Sequence, residues 1–155
     1  MKRNYLRTTL MLVSSVALLL SLSPAAHAAY CSTATVAGTW GFTLSGTLIL
    51  PSGSVPAAGV GRTVVDINGN FTGTEARNIG GGYADETFTG SWTINQDCTG
   101  TSTLNVYESG QLVRTSVLSI VFDDNSKEAR MVQKSLTLPN GAQVPVVLTL
   151  EGRKH

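Results

Sequence analysis

The sequence predicts an all-β chain, folded as a single antiparallel up-and-down β-barrel of eight strands. Three observations predict it. From about position 40 onward, apolar residues recur with a period of two rather than 3.6, the spacing of a half-buried strand and not of a helix. Clusters of Gly, Asn, Asp, Ser and Pro divide that stretch into eight segments with short connections, which reads as an antiparallel meander. Closing eight strands on themselves then removes the exposed sheet edges that would otherwise invite pairing between molecules. A two-sheet β-sandwich is the alternative arrangement of the same strands.

The elements follow in order. Trp40, Phe42, Leu44, Leu48 and Leu50 alternate with Gly41, Thr43, Ser45 and Thr47, which makes a first strand with a bulge or bend at Gly46. Pro51-Ser52-Gly53 ends it, and Ser52–Gly59 reads as a flexible segment before a second strand near Val60–Ile67. Asn68-Gly69-Asn70 is the strongest hairpin signal, because these residues tolerate positive φ. A third strand runs from Phe71 to Ile79, and Gly80-Gly81-Gly82 connects it to a fourth near Thr87–Ile94. Later turns at Asn95–Cys98, Ser109-Gly110, Asp123–Ser126 and Pro139–Gly141 separate strands near Thr101–Tyr107, Leu112–Phe122, Ala129–Leu138 and Val144–Leu150. No stretch of this region carries a convincing amphipathic helical pattern.

Residues 1–28 carry the pattern of a secretory signal peptide. Lys2, Arg3 and Arg7 form a basic start, Leu10–Leu22 is mostly apolar, and Ala26-His27-Ala28 offers a cleavage site after Ala28. The apolar run is shorter than the roughly 20 residues needed to span a bilayer, and no later segment is long and apolar enough to do so. The expected product is a single domain over residues 29–155, secreted or periplasmic. Removing the leader leaves 127 of the 155 residues and changes the charge balance. Of 11 basic residues three depart, so the remaining 8 face 10 acidic ones and the net charge becomes −2. Such a domain has no electrostatic footprint for nucleic acid. His155 is its only histidine, which excludes a Ser-His-Asp triad and a multi-histidine metal site.

Cys31 and Cys98 are the only cysteines. In an oxidising compartment they most simply form one disulfide. A loop of this length makes such a bridge worth about 4 kcal/mol in the chain-entropy picture. Their spacing is not C-x-x-C and no basic residue flanks either one, so a reactive thiol is not indicated.

Gly38-Thr39-Trp40 at the start of the first strand resembles the G-x-W signature of the calycins, the lipocalin- and avidin-like barrels. Gly69-Asn70-Phe71-Thr72-Gly73-Thr74 resembles the second hairpin of avidin-type proteins. A more specific likeness is to uncharacterised small secreted bacterial proteins. They share an early cysteine, a first strand like Ala37–Phe42 and a turn with the letters DCTGT, here Asp97–Thr101. A weaker likeness is to allene-oxide-cyclase-like barrels. The calycin resemblance implies a barrel with a tryptophan plugging one end. Phe42 stands where avidins place a biotin-contacting asparagine, and no tryptophan follows Trp92, so the resemblance does not carry biotin binding with it.

The candidate site residues come from one face of the third strand and from the large aromatics. Phe71, Gly73, Glu75, Arg77 and Ile79 share a face by alternation. If that face points inward, Glu75 and Arg77 form a polar pair inside an apolar barrel, positioned to orient a ligand or act on it. If it points outward, both are solvated charges. Trp40, Phe42, Phe71 and Trp92 are candidate ligand contacts, although large aromatics serve more often as core. Asp85 and Glu86, next to the triple glycine, read as solvated loop charges. Arg114, Arg130 and Lys134 read as exterior or rim charges. Asp123-Asp124-Asn125 lacks the spacing of a calcium loop, and Gly80-Gly81-Gly82 lacks the residues of a phosphate loop.

The first functional expectation is a binding protein for a small apolar ligand, without a cofactor or metal. The second is a cofactor-free isomerase or cyclase using Glu75 with Arg77. The third is an interaction module or inhibitor of a secreted enzyme, with Ser52–Gly59 and Gly80–Asp85 as contact loops. Oligomeric state is left open.

Overall fold

The computed structural model describes residues 30–123 and 125–155. The signal-peptide reading of residues 1–28 lies outside the described residues, as does Asp124. Eight strands follow one another around a closed antiparallel barrel. They are β1 (Gly38–Leu50), β2 (Gly53–Val65), β3 (Asn70–Ile79), β4 (Gly82–Ile94), β5 (Thr99–Glu108), β6 (Gln111–Asp123), β7 (Glu128–Thr137) and β8 (Val146–Lys154). β1 pairs with β2 on one side and with β8 on the other, from Trp40↔Lys154 to Leu48↔Val146. That last ladder closes the sheet and sets aside the sandwich. One short helix, α1 (Thr33–Val36), precedes β1.

Two strands are longer than their hydrophobic alternation suggests. β2 begins at Gly53 and β4 at Gly82, so Ser52–Gly59 and Gly80–Asp85 are mostly paired backbone and not contact loops. The cause is pairing partners. Ser54 through Gly59 lie opposite Ile49 through Leu44, and Gly82 through Asp85 lie opposite Ile79 through Ala76. Paired N–H and C=O groups hold small residues in a strand even where propensity is poor. The expected bulge at Gly46 is absent, because its pairing runs unbroken to Ala57 and Leu148. Its φ is +148° and a Cβ there would run into the Val147 carbonyl, so only glycine fits.

One end of the barrel is closed by aromatic packing. Trp40 lies within 6 Å, ring centre to ring centre, of both Trp92 and Phe122, and Phe71 continues the chain of contacts to Phe88. Edge-to-face pairs of this kind add about 0.5–1.5 kcal/mol each beyond their buried area. α1 caps this end. Ser32 and Thr35 exchange side-chain and backbone hydrogen bonds as a capping box, and the fully buried Val36 accepts a 2.9 Å bond from the Trp40 indole. The Cys31–Cys98 disulfide staples the helix to the β4–β5 turn. The aromatic rings need space, and glycines supply it. A Cβ on Gly61, Gly73 or Gly90 would strike Phe42, Phe88 or Phe71 respectively, so each ring lies across a neighbouring strand's bare backbone.

Candidate functional site

The open half of the barrel, beyond Phe42 and Phe88, is built from the same alternation but with charged side chains on the inner face. On β3 the phase that buries Phe71 also buries Glu75 and brings Arg77 inward. Both side chains of the expected pair thus lie on the inward face, but they do not bond to each other, because Arg77 is taken by Glu86 and Glu108. Two further charges join them. On β4 the phase of Ala84, Phe88 and Trp92 carries Glu86 inward, its side chain entirely enclosed. On β6 the phase of Ser116, Leu118 and Ile120 carries Arg114 inward. These two correct the sequence reading, which placed Glu86 in a solvated loop and Arg114 outside. Strand parity decides their direction, and their own polarity does not. Asp85, Arg130 and Lys134 do sit on the exposed face.

The four side chains form a network with one gap. Glu86 accepts two bonds from Arg114, at 2.7 and 2.6 Å, and a third at 3.0 Å from Arg77 Nε. Arg77 donates its other two nitrogens to the Gly82 carbonyl at 3.1 Å and to Glu108 at 3.2 Å. Glu75 is left over. Its Oε2 lies 4.0 Å from Arg114 and its Oε1 has no hydrogen-bond partner. The two glutamates stand directly opposite each other on β3 and β4, where like charges repel.

Their titration separates accordingly. Burial pushes the Glu75 carboxyl above the ordinary carboxylate range. Arg114 opposes that, the Glu86 charge adds to it, and Arg77 opposes it more weakly. Burial also acts on Glu86, but the hydrogen bonds and charges of Arg114 and Arg77 outweigh it and hold that carboxyl below the ordinary range. One carboxylate is thus locked into ion pairs, while the other keeps an unused acceptor.

Glu75 sits between two interior cavities. The deeper one, about 50 Å³, is lined by Phe42, Phe71, Phe88, Trp92 and Met131 among others. The shallower one, about 40 Å³, reaches Leu44, Arg77, Arg114 and Gln133 toward the open end. Glu75, Leu104, Leu118 and Leu150 line both. Since a cavity of about 10–15 Å³ admits a water, the two have room for several waters or for one compact organic group. Most of the interior is filled by side chains. A larger depression, about 780 Å³, lies over β1, β7 and β8 near the chain's end and is open to solvent. Four of the charges along it already pair, Arg130 with Asp123 and Arg153 with Glu128. Size alone does not make it the better site, because the unpartnered buried acceptor is inside.

Of the residues expected at the site, Phe42, Phe71, Glu75, Arg77 and Trp92 line these cavities. Trp40 does not. It lies deeper, within the aromatic cluster against α1, where it serves as core. Cys31 and Cys98 form the expected bridge. No group of acidic, cysteine or histidine side chains that could hold a metal occurs among the described residues. The wall has a seam between β7 and β8. β7 runs to Thr137, but its pairing with β8 stops at Val132↔Thr149, and beyond it only the Thr137↔Gln143 bridge links this edge to the loop before β8.

No family model and no curated protein matches the chain. Solved structures do. The structure of EF1p2_mFAP2b bound to DFHBI aligns over 81% of this chain and 100% of its own, with 12% identity and a TM-score of 0.56. That of a redesigned β-barrel, mFAP1, bound to DFHBI, aligns over 80% of this chain and 100% of its own, with 18% identity and a TM-score of 0.50. The S-type phycobiliprotein lyase CPES from Guillardia theta has 9% identity, a TM-score of 0.45, and covers 79% of this chain and 90% of its own. The first two, at identities this low, show a shared barrel fold and nothing finer.

Proposed function

We propose that this protein is an exported binding protein that holds one small, compact, mostly apolar molecule inside the barrel. The observation that carries the reading is Glu75 Oε1, a buried acceptor without a partner at the junction of two apolar cavities. Leaving such a group unsatisfied costs about 1–3 kcal/mol, and native proteins keep few of them. A bound polar group beside Oε1 offsets that cost. Apolar walls with a small number of convergent polar groups are the usual make-up of a ligand site. EF1p2_mFAP2b and mFAP1, which share the fold, are bound to DFHBI, which supports a small-molecule reading for a barrel of this shape. The β7–β8 seam, next to Gln133, Leu136 and Leu148 of the shallower cavity, is the entrance in this reading. Export rests on the basic start, apolar run and Ala26-His27-Ala28 of the leader, and the disulfide fits an oxidising compartment.

The test is native mass spectrometry of the protein recovered from its own host, followed by NMR titration with compact C5 to C7 compounds. One small molecule per chain and shifts confined to Leu104, Leu118 and Leu150 are expected. Unliganded protein whose interior resonances do not move with any such compound overturns the reading. N-terminal sequencing should begin at Ala29.

A second reading, a cofactor-free isomerase, draws on the same carboxyl. Burial raises the pKa of Glu75, as general acid–base groups require. Arg77, its expected partner, is already engaged with Glu86, Glu108 and the Gly82 carbonyl, which favours binding over catalysis. A ligand recovered chemically altered after incubation, and unaltered with Glu75→Gln, decides for the enzyme.

A further inference from the structure

The open half contains two arginines, and a carboxylate-bearing ligand is the first idea they suggest. The hydrogen-bond accounting points the other way. Every donor nitrogen of Arg77 has an acceptor. Both terminal nitrogens of Arg114 are held by Glu86 in a two-pronged bond, the strongest geometry that a guanidinium and a carboxylate adopt. The Gln133 amide nitrogen donates to Ser116 and to the Ser135 carbonyl, and the Thr63 hydroxyl donates to the Thr72 carbonyl. The open position belongs to an acceptor, Glu75 Oε1, on a side chain only 4% exposed. The wall beside it is bare. A Cβ on Gly59 would stand 2.8 Å from Oε1, so glycine at this position leaves the oxygen its room.

Charge agrees with this accounting. Arg77 and Arg114 are balanced by Glu86 and Glu108, so Glu75 is the unbalanced charge of the interior. A carboxylate brought to it would face two glutamates, beside guanidiniums that are already engaged by Glu86 and Glu108.

We propose that the ligand's polar end is a hydrogen-bond donor, a hydroxyl or an amine, taken by Glu75 Oε1, and that the barrel discriminates against carboxylates. The proposal rests on the small-ligand reading and names the chemistry of that ligand. Glu75 is the specificity-determining residue, while Arg77 and Arg114 keep Glu86 occupied and Arg114 stands 4.0 Å from the Glu75 carboxylate.

The test is a matched series on one carbon skeleton: 1-pentanol, pentylamine, 2-pentanone, pentanoate and pentane. Each is titrated at pH 7.5 into the full mature protein and followed by NMR. Pentanol and pentylamine should bind about tenfold or more tighter than the other three, since a missing partner for a buried acceptor is worth about that much. Glu75→Leu should remove the preference, leaving pentanol and pentane equal within about twofold. Glu75→Gln keeps an acceptor but no charge, and should lose the amine while retaining part of the alcohol affinity. A ketone or carboxylate that binds wild type as tightly as the alcohol overturns this proposal and leaves the small-ligand reading standing. A preference for pentanol that survives Glu75→Leu overturns the assignment to Glu75. Failure of all five compounds to bind overturns the small-ligand reading beneath it.

Discussion

The closed and open halves of this barrel are made by the same eight strands with the same inward parity, yet their interiors are opposites. At the closed end Trp40, Trp92, Phe122 and Phe71 interlock beneath a capped helical turn and a disulfide. There the Trp40 indole N–H is bonded to the Val36 carbonyl. In the open half the same faces carry Glu75, Arg77, Glu86 and Arg114, and one oxygen is left unbonded. In the first half no buried side-chain polar atom among the described residues is left without a partner. The second retains a defect that stability alone would remove. Where one structure offers both, the imperfect half is the place to look for function.

This contrast is open to direct attack. The largest effect is expected from Trp40→Ala, which empties the closed end and removes the indole hydrogen bond to α1. Loss of a buried tryptophan costs about 3–5 kcal/mol, read as a fall in the denaturant midpoint, with ligand affinity unchanged in the protein that remains folded. Glu86→Ala comes next. It strands Arg77 and Arg114 without their shared counterion, and breaking a buried pair on one side costs about 3 kcal/mol or more. Unlike the tryptophan change, it should also disturb ligand binding, because Glu75 becomes the only carboxylate within reach of Arg114.

Glu75→Gln is expected to move stability in the opposite direction. The folded-state pKa of Glu75 is raised by burial. Its contribution is therefore fully present at pH values below the unfolded carboxylate pKa, and is lost as the pH rises through the folded one. The neutral amide escapes that loss. Thermal melts should show the variant more stable than wild type at pH 7, with the difference shrinking as the pH falls toward the ordinary carboxylate range. A wild type more stable than the variant at pH 7 would show that Oε1 is satisfied after all. The smallest effect concerns the seam. Amides of Gln133–Thr137 that face β8 lack ladder partners there, so they should exchange with solvent faster than those at the Arg130–Val132 end of β7. Ligand should slow them.

Much of this was legible in the chain. Period-two alternation and Asn-Gly, Ser-Gly and Pro-Asn-Gly turns are local signals, and they place all eight strands and the closure that follows from them. The inward face of β3 is also readable, because Phe71 and Ile79 bracket Glu75 and Arg77 in one phase. Glu86 and Arg114 were misread because each was judged by its charge and its neighbours in sequence. Extending the alternation of Phe88, Gly90 and Trp92 back two residues, or that of Leu118 and Ser116, would have found both. What alternation could not show is which nitrogen meets which oxygen. The spare acceptor on Glu75 exists only once three strands are closed around Arg114. The four-residue helix was likewise invisible to periodicity. It is too short for a pattern, and what holds it is a capping box, a disulfide and one indole bond.

The central claim is that the interior acceptor is there for a ligand. A crystal structure of the protein grown with 1-pentanol tests it most directly. The account predicts one pentanol with its hydroxyl in hydrogen-bond contact with Glu75 Oε1 and its chain among Leu104, Leu118 and Leu150. An interior holding only water, with pentanol absent or confined to the outer depression beside Arg153, would contradict it.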